Sequence, residues 1–451
     1  MKISVAGLGK LGMSLAVALT HKGHTVIGID ISAVVLEKIK SGHSPIEEPQ
    51  VQELLTAAQT KNLLSVTSSF ENAILESDLT FVAVNTPEAA RGFMDFSDLA
   101  QACKMIGAAL AKKNSFHIVI VNSTITPETA KEIILPALEE ASGKKCGESF
   151  GLCINPVFIA ITTVVRDLFH PPAIVLGTSD VRTLEKLEKL YENFCDSPVT
   201  LIRTTPLMAE FIKMAHNAYC TLKMSFINEM ASACSHLPGA DISVLSQFFK
   251  SGGERAGRFL EAGPGFGGPC FPRDLEFFTT YLQNHLSSLP VLEAIAPSNQ
   301  QHAERLVELL QEELGGLIQK KIAVLGISYK PGSVILENSF SLLMIQNLQA
   351  KGALIQAFDP KISGTVEVAE DRFISVTQDL EEALKKCDCA ILAMPFKTLP
   401  EMTPEFLKKT MSRTFIFDPW RVYPYSTNPL IDRYVALGIL PENSPADVSS
   451  A

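Results

Sequence analysis

An apolar segment runs directly into a glycine-rich turn in Lys2-Ile3-Ser4-Val5-Ala6-Gly7-Leu8-Gly9-Lys10-Leu11-Gly12. Residues 14–22 then follow a helical pattern, and Val26-Ile27-Gly28-Ile29 is a second apolar segment that ends at Asp30. This order of strand, Gly-x-Gly-x-x-Gly, helix, strand and acid is typical of a dinucleotide-binding unit. The glycines permit a tight turn and let a pyrophosphate approach the helix N-terminus. We therefore predict that the chain begins with an α/β domain that binds a dinucleotide.

The acid at the end of the second strand indicates which dinucleotide is bound. Asp30 follows Gly12 by 18 residues, where a carboxylate accepts hydrogen bonds from the adenosine ribose. The same carboxylate would repel a 2′-phosphate, so the prediction is NAD rather than NADP. A glycine fingerprint alone is weak evidence, and the agreement of strand, helix and acid is what supports this interpretation.

Composition limits the possible classes of protein. The 451 residues, 46% hydrophobic and 20% charged, suit a globular protein of two or three domains. The net charge of −10 disfavours nucleic acid or an anionic membrane as a partner. The nine cysteines form no Cys-x-x-Cys pair, which indicates reduced thiols in a cytoplasmic protein without a metal site. No secretory signal and no apolar run of about 18 residues is found, so no membrane span is predicted.

Two further apolar strands end in polar turns. Residues 79–87 end in Asn-Thr-Pro, and residues 116–124 end in Asn-Ser-Thr. Ligands of open α/β sheets bind outside the carboxyl ends of the strands, so Thr86 and Thr124 are expected to face the cofactor or the substrate. The alternative is that each threonine only caps the helix that follows, and Thr124 could do both.

A long helical pattern occupies the middle of the chain. It runs from Pro206 to about His236 and is rich in Ala, Met, Leu and Phe. Lys213 and Asn217 are spaced i and i+4, so their side chains share one face among apolar neighbours. Desolvation can lower the pKa of a lysine there towards acid–base work, whereas the alternative is a lysine that extends to the surface. A long apolar helix between two α/β halves also suggests a contact in a homodimer or a higher homo-oligomer.

The last third of the chain repeats the α/β pattern. Strands are predicted at 321–327, 353–358, 389–393 and 414–418, and the tail from about Glu442 looks frayed. After the first of these strands, Ser-Tyr-Lys-Pro-Gly is not a dinucleotide fingerprint, but it offers an aromatic ring beside a lysine, which suits a base and its phosphate.

The predicted fold class is α/β, with two Rossmann-like doubly wound domains joined by a long central helix. We expect an NAD-binding domain at 1–200, a central helical, dimerising domain with a glycine-rich loop around Cys270 at 201–300, and a second Rossmann-like domain at 315–440.

One cysteine lies in an unusually constrained loop, Gly263-Pro264-Gly265-Phe266-Gly267-Gly268-Pro269-Cys270-Phe271-Pro272-Arg273-Asp274. Glycine permits φ > 0 and the close approach of a ligand, and proline fixes φ, so the loop is predicted to be rigid. A thiol presented on it could act as a nucleophile if a neighbour lowers its pKa. The alternative is a tight turn around a buried cysteine, and the loop alone does not decide between the two.

The order of these motifs resembles that of the UDP-glucose/GDP-mannose dehydrogenase family along residues 1–425. The resemblance covers the N-terminal glycines, both polar strand ends, the helix around Lys213 and the cysteine loop. Its other segments are Asn155-Pro156, Ser225-Phe226-Ile227-Asn228-Glu229, Gly326 to Gly332 and Phe358-Asp359-Pro360. Such enzymes oxidise the C6 alcohol of a nucleotide sugar to a carboxylate and reduce two NAD. The resemblance therefore implies an NAD-dependent nucleotide-sugar 6-dehydrogenase in which residues 315–440 form the nucleotide-sugar-binding domain.

The resemblance also implies roles by position. Cys270 would attack the aldehyde to give a thiohemiacetal and then a thioester. Lys213 would stabilise charge at the reacting oxygen, with Asn217 as an oxyanion donor. Thr124 and Asp274 would position the water that hydrolyses the thioester. The implied NAD site consists of Gly7, Gly9, Leu11, Gly12, Asp30, Thr86, Pro87 and Thr124. The implied substrate site consists of Phe158, Lys213, Arg255 from the adjoining subunit, Gly267, Tyr329, Lys330 and Arg421.

The chain departs from the family pattern at two places. After Asn-Pro the family usually carries Glu-Phe-Leu-Arg-Glu-Gly, where residues 157–162 of this chain read Val-Phe-Ile-Ala-Ile-Thr. Val157 and Ile161 thus replace two glutamates, the first of which is associated with general-base action in thioester hydrolysis. Beyond the aromatic–lysine pair, the family's acidic pair and arginine are replaced by Val334, Ile335 and Glu337. A divergent member would use Asp274 and Thr124 alone for the water, or would act on an altered substrate.

The function predicted from the sequence is NAD-dependent oxidation of a nucleotide sugar to its uronic acid. A UDP-sugar is favoured because Tyr329-Lys330 keeps the uridine-type pattern of the family. Two alternatives stay open. One is a two-electron dehydrogenase on an altered sugar, which would form one NADH per substrate instead of two. The other is a catalytically impaired homologue that binds NAD, a possibility opposed by the retention of Cys270, Lys213, Asn217 and Asp274.

Overall fold

The computed structural model describes residues 1–90, 92–253, 258–396 and 399–439. Arg255, which was predicted to bind substrate, and the tail predicted from Glu442 lie outside the described residues. The chain divides into two units, Met1–His216 with Glu276–His285, and Asn217–Leu275 with the chain from Leu286 onward.

The described part of the first unit is built on a sheet with the strand order β10-β9-β8-β7-β4-β1-β2-β3. Its strands are β1 (Lys2–Ala6), β2 (Thr25–Ile29), β3 (Leu64–Thr67), β4 (Leu79–Val82), β7 (His117–Val121), β8 (Phe150–Ile154), β9 (Ile174–Gly177) and β10 (Leu201–Thr204), with a separate hairpin of β5 (Glu88–Ala90) and β6 (Phe93–Met94). Neighbouring strands pair in parallel except β8 and β9. The strand order changes direction between β1 and β4, so their carboxyl ends border the crevice where such sheets bind ligands.

Helices cover both faces of this sheet, and its central strands are accordingly apolar on both faces. In β7, Ile118 and Ile120 pack into one apolar core, and Val119 and Val121 pack into the other. Alternate residues of a strand point to opposite faces, so a strand covered on both sides is apolar throughout. The helices are α1 (Lys10–His21), α2 (Ala33–Lys40), α3 (Val51–Thr60), α4 (Phe70–Glu76), α5 (Ser97–Lys112), α6 (Leu135–Ser142, preceded by a π-helical turn Ala130–Ile134), α7 (Val164–Phe169) and α8 (Val181–Phe194).

The second unit contains a sheet with the order β13-β14-β12-β11-β15-β16-β17 in its described residues. Its strands are β11 (Lys321–Leu325), β12 (Leu354–Phe358), β13 (Gly364–Ala369), β14 (Arg372–Thr377), β15 (Cys389–Leu392), β16 (Phe415–Asp418) and β17 (Arg433–Ala436). All of them pair in parallel except the β13–β14 hairpin. The order changes direction between β11 and β15, which places a second crevice at the carboxyl ends of those strands.

The long central helix is α9 (Pro206–Cys234), which continues from the first unit into the second and confirms the prediction of a long central helix. The remaining α-helices among the described residues are α10 (Ile242–Ser251), α11 (Phe271–Gln283), α12 (Pro290–Leu314), α13 (Phe340–Ala350), α14 (Leu380–Leu384) and α15 (Pro404–Thr410). Within the described ranges, none of the helices is both long and apolar enough to cross a membrane.

The two sheets repeat the same turn after their first strand. Gly7 has φ 88° and donates to the last carbonyl of β2 at 2.8 Å, and Gly326 has φ 99° and donates to the last carbonyl of β12 at 2.7 Å. In each unit an aspartate after that neighbouring strand, Asp30 or Asp359, accepts a bond from an amide of the turn. Both halves are therefore Rossmann-like, although only the first has the glycine fingerprint.

Candidate active site

The glycine-rich turn joins β1 to α1 at the crevice of the first sheet. A β carbon on Gly7 would lie 2.6 Å from the backbone oxygen of Ala83, and one on Gly12 would lie 1.8 Å from the carbonyl oxygen of Gly7. These two glycines are required by the packing of the turn itself. A β carbon on Gly9 would meet no described atom within 4 Å. The space over Gly9 at the N-terminus of α1 is thus open to a ligand, which fits a pyrophosphate held by backbone amides.

Asp30 lies at the carboxyl end of β2, as predicted. One of its carboxylate oxygens accepts from the N–H of Leu8 at 2.8 Å, and the other accepts from the N–H of Ser32 at 2.8 Å. A carboxylate has about four acceptor positions, so some remain for ribose hydroxyls. Leu11, also predicted at this site, is half-buried and packs against the apolar core below α1.

The two predicted threonines are in contact. Thr86, which precedes Pro87 in the loop after β4, is buried, and its hydroxyl donates to the backbone oxygen of Thr124 after β7 at 2.8 Å. The hydroxyl of Ser123 donates to the backbone oxygen of Val84 at 2.8 Å. These bonds join the two polar loops at the crevice, so Thr86 holds the neighbouring loop in place.

Lys213 lies on α9 in the part of the helix that belongs to the first unit. Its Nζ donates to the backbone oxygen of Val157 at 2.9 Å and lies 5.4 Å from the centre of the Phe158 ring. The same ring packs edge-on against His216, with 4.7 Å between the ring centres. The lysine is half-buried and directed at the loop after Asn155-Pro156. It therefore does not simply extend to the surface, and the structure brings the predicted Lys213 and Phe158 together.

That loop is held by an acid that the sequence pattern did not single out. The buried carboxylate of Glu48 accepts from the N–H groups of Thr162 and Val164, both at 3.0 Å. Thr162 has φ 75°, a left-handed conformation that is rare for a β-branched residue. The side chain of Val157, at one of the positions where the family carries glutamate, packs against the apolar core.

Cys270 precedes the first residue of α11 and is exposed, whereas the other cysteines, all of them in described segments, are buried or half-buried. The loop before it is closely packed. A β carbon on Gly267 would lie 2.2 Å from the backbone oxygen of Asn338, and one on Gly268, which has φ 85°, would lie 2.3 Å from the ring of Tyr329. The structure thus favours an exposed thiol on a rigid loop over a buried cysteine in a turn.

The first turn of α11 supplies charged groups next to this thiol. Asp274 is 1% exposed, and its carboxylate accepts from Nδ2 of Asn217 at 2.7 Å and from Nε and Nη2 of Arg273 at 3.0 and 2.9 Å. Burial lowers the pKa of Arg273, but the negative charges of Asp274 and of a Cys270 thiolate outweigh it, so that pKa is raised overall. Asn217 and Arg273 thus both donate to Asp274, and the charge of Arg273, which was not predicted, also interacts with that of Cys270.

The remaining predicted substrate residues lie at two places in the second unit. Tyr329 and Lys330 follow β11 at its crevice, with the Tyr329 ring against Gly268. Arg421 donates to the backbone oxygens of Leu437 at 3.0 Å and Ala262 at 3.3 Å, and burial lowers its pKa. Its guanidinium thus supports the start of the cysteine loop. No group of three or more His, Cys, Asp or Glu side chains in the described segments could hold a metal ion.

Three domain models of one family match this chain. They are those of the UDP-glucose/GDP-mannose dehydrogenase family, with the NAD binding domain at residues 1–195, the central domain at 208–301 and the UDP binding domain at 323–425. The chain belongs to the UDP-glucose/GDP-mannose dehydrogenase family. It is an NAD-dependent nucleotide-sugar dehydrogenase, and the predicted cofactor and α/β fold class are confirmed.

Relatives of this dehydrogenase match it over almost their whole length. GDP-mannose 6-dehydrogenase of Pseudomonas aeruginosa is 31% identical over 441 residues, which cover 95% of this chain and 98% of the relative. UDP-glucose 6-dehydrogenase of Haloferax volcanii is 31% identical over 428 residues, which cover 94% and 97%.

Solved structures of related enzymes also match this dehydrogenase. The structure of a UDP-glucose dehydrogenase from Pyrobaculum islandicum, 28% identical, superposes with a TM-score of 0.81 and covers 97% of this chain and 98% of its own. That of GDP-mannose dehydrogenase from Pseudomonas aeruginosa, also 28% identical, has a TM-score of 0.54 with 97% and 99% covered.

The glycine turn of the dehydrogenase gives a paired prediction for NAD binding. Gly12→Ala forces a β carbon onto the backbone of Gly7, so we expect it to lower both the thermal midpoint and the NAD affinity, with a loss of stability above about 2 kcal/mol. Gly9→Ala has room in the protein and should leave the thermal midpoint unchanged. It should weaken NAD binding about tenfold, because the methyl group occupies the open space. Thermal melts and calorimetric titration with NAD check both results. Equal thermal midpoints for Gly12→Ala and Gly9→Ala would contradict the packing argument.

Proposed function

We propose that this dehydrogenase oxidises the C6 alcohol of a nucleotide sugar, preferably a UDP-sugar, to the uronic acid through a covalent intermediate on Cys270. The observation that supports the covalent step most is an exposed thiol directly before a thirteen-residue helix and beside the Arg273 guanidinium. A helix N-terminus and a neighbouring cation both favour the thiolate, which is the nucleophilic form of cysteine.

The proposed reaction has two oxidations and one hydrolysis. The alcohol first loses a hydride and a proton to become the aldehyde. The Cys270 sulfur adds to the aldehyde carbon, and the oxygen takes a proton, which gives a thiohemiacetal. Loss of a second hydride and a proton converts it to a thioester, and water then releases the carboxylate and the thiol. Bound NAD accepts the hydride in each oxidation, so two NADH form per sugar.

Each proposed role is assigned to a side chain of suitable chemistry. The Lys213 ammonium group stabilises the reacting oxygen as it becomes negative, and the Asn217 amide is a second donor. Asp274 accepts from the hydrolytic water together with Thr124. The oxygens of Asp274 are already shared with Arg273 and Asn217, so it orients the water rather than removing its proton completely.

The remaining site assignments are proposals of the same kind. The NAD site consists of Gly7, Gly9, Leu11, Gly12, Asp30, Thr86, Pro87 and Thr124. The substrate site consists of Phe158, Lys213, Arg255, Gly267, Tyr329, Lys330 and Arg421. The bonds of Arg421 to backbone oxygens favour a supporting role for it over direct contact with the sugar.

The preference for UDP has two supports. The Tyr329 ring and Lys330 lie at the crevice of the second sheet, where a base and a diphosphate bind in folds of this type. The family model that matches residues 323–425 is described as that of a UDP binding domain.

A panel of UDP- and GDP-sugars tests the substrate and the stoichiometry together. We expect the highest turnover with a UDP-sugar and two NADH per sugar. The product should differ from the substrate by the gain of one oxygen atom and the loss of two hydrogen atoms, as expected when an alcohol becomes a carboxylic acid. One NADH per sugar would replace this proposal by the two-electron dehydrogenase. NAD binding without turnover of any sugar would favour the catalytically impaired homologue.

We also propose the domain boundaries 1–200, 201–300 and 315–440, a homodimer or higher homo-oligomer, and a cytoplasmic location. Association through the long helix is supported by three exposed aromatic side chains on α9 and α10, Tyr219, Phe226 and Phe248. The nine thiols support a reducing compartment. Light scattering of the purified protein measures the molar mass and so tests the association.

A further inference from the structure

The backbone before Cys270 is held by side chains of another helix. Asn299, on α12, makes a pair of hydrogen bonds to Phe266. Its Oδ1 accepts from the Phe266 N–H at 2.9 Å, and its Nδ2 donates to the Phe266 backbone oxygen at 3.0 Å. A side-chain amide that bonds to both the N–H and the C=O of one residue fixes the position and the direction of the backbone at that residue.

His302 makes a third bond to the same loop. Its Nε2 lies 2.8 Å from the backbone oxygen of Gly263, and because a carbonyl only accepts, Nε2 is the donor. The ring is 2% exposed and packs against Phe340, with 5.6 Å between the ring centres. The buried Oδ1 of Asn228 on α9 accepts from the N–H of the same residue, Gly263, at 3.0 Å.

The spacing of these groups matches the loop. Asn299 and His302 are i and i+3 on α12, so they share one face of that helix. Their partners, Phe266 and Gly263, are also three residues apart in the chain. Each helix position therefore holds one end of a single short segment, which leads directly into the Gly267-Gly268-Pro269 run before the thiol.

The segment is closely packed between these bonds. A β carbon on Gly265 would lie 2.1 Å from Oδ1 of Asn299 and 2.3 Å from the ring of Phe340. A β carbon on Gly263 would lie 3.1 Å from the ring of Trp420. The glycines thus allow the backbone to lie against α12 and α13, and the polar side chains fix it there.

We propose that Asn299 and His302 are positioning residues for the thiol chemistry of this enzyme. They hold the Gly263–Phe266 backbone and thereby fix where the Cys270 sulfur is presented at the start of α11. Their hydrogen bonds go to the loop backbone, so their effect on the thiol passes through the loop. This inference rests on the proposed role of Cys270, and it adds that the reactivity of that thiol depends on α12.

The test measures thiol reactivity and catalysis separately. Asn299→Ala and His302→Phe remove the bonds to the loop, while His302→Gln keeps a side-chain N–H at a similar reach and serves as the conservative variant. Gln301→Ala changes an exposed neighbour on the same helix and is the matched control. Alkylation of Cys270 by iodoacetamide, followed by peptide mass spectrometry, reports on the thiol without any substrate.

We expect Asn299→Ala and His302→Phe each to lower kcat about tenfold, because a displacement near 1 Å can cost that much or more. The alkylation rate constant should also fall about tenfold, because a thiol displaced from the helix N-terminus and from Arg273 loses the groups that favour its thiolate. KM for NAD should not change, and His302→Gln should recover to within about threefold of the parent enzyme on the same argument. Fluorescence of Trp420, the only tryptophan, confirms that each variant is folded around the loop.

Two results would overturn the inference. One is parental alkylation and kcat in both Asn299→Ala and His302→Phe. The other is a fall in His302→Gln as large as in His302→Phe, since a side-chain N–H donor to the loop would then restore nothing. If Cys270 has no part in the reaction, the alkylation rates still change as described and kcat does not, which separates failure of this inference from failure of the proposed mechanism.

Discussion

Replacing Cys270 by serine should abolish formation of the acid and leave the folded state and NAD binding unchanged. The sulfur is the proposed point of attachment of the aldehyde, and a serine hydroxyl in the same place stays protonated and is a poor nucleophile. We expect kcat for formation of the acid to fall by at least about 10³-fold, as is common when a covalent nucleophile is removed. Cys270 is exposed at the start of a helix, so the substitution creates no cavity in the core.

The first oxidation does not need the thiol, and this gives the variant a distinct signature. We expect a single turnover of Cys270→Ser to release aldehyde and one NADH per enzyme-bound sugar, which rapid-quench mass spectrometry would detect. Cys234→Ser, a half-buried cysteine on α9, is the matched control and should form two NADH per sugar. A Cys270→Ser enzyme that still forms two NADH per sugar at the parental rate would exclude the covalent mechanism.

Much of the sheet architecture could be predicted because the central strands are apolar on both faces. The strands predicted at residues 2–6, 26–29 and 321–327 are found as β1, β2 and β11, with small shifts at their ends. The strand predicted to begin at Leu79 ends at Val82, because the polar residues after it form the crevice loop. Apolar runs predict that a strand exists better than they predict where it stops.

Other strands could not be predicted, because their faces are not uniformly apolar. In the hairpin of β13 and β14, buried residues alternate with solvent-exposed ones. The exposed residues are largely charged or polar, so these segments resemble loops in the sequence. Strands β3, β10 and β17 are short and only partly buried. In such segments the pairing partner, rather than the local sequence, decides the structure.

The candidate site divides in the same way. Residues with a motif of their own, such as Asp30, Cys270 and Asp274, could be named from the sequence. Glu48 and Arg273 are supporting groups that act through backbone amides or through another charge. An isolated acid in a loop carries no spacing signal. Arg273 lies inside the quoted cysteine loop and directly precedes Asp274, so it could have been named from the sequence.

Replacing Asp274 by asparagine should weaken both the second unit and the reaction. The carboxylate is 1% exposed and accepts from Arg273 and Asn217. An asparagine at 274 leaves the partly buried guanidinium of Arg273 without its anion. If its amide oxygen stays on Arg273, its NH2 group faces the NH2 group of Asn217, and two donors then meet without an acceptor. Breaking a buried pair by removing one partner costs about 3 kcal/mol, and we expect kcat to fall about 100-fold because the water and the thiol both lose a neighbour.

The exchange of the two side chains separates stability from catalysis for this pair. Asn217→Asp combined with Asp274→Asn restores one carboxylate–amide bond and the net charge, so it should recover at least about 1 kcal/mol of the loss. The exchange moves the carboxylate away from the position where it accepts from Arg273, so kcat should stay low. Urea unfolding followed by the fluorescence of Trp420, which lies in the second unit, measures the first quantity, and NADH formation measures the second. If Asp274→Asn alone keeps the parental stability and kcat, the carboxylate has neither role.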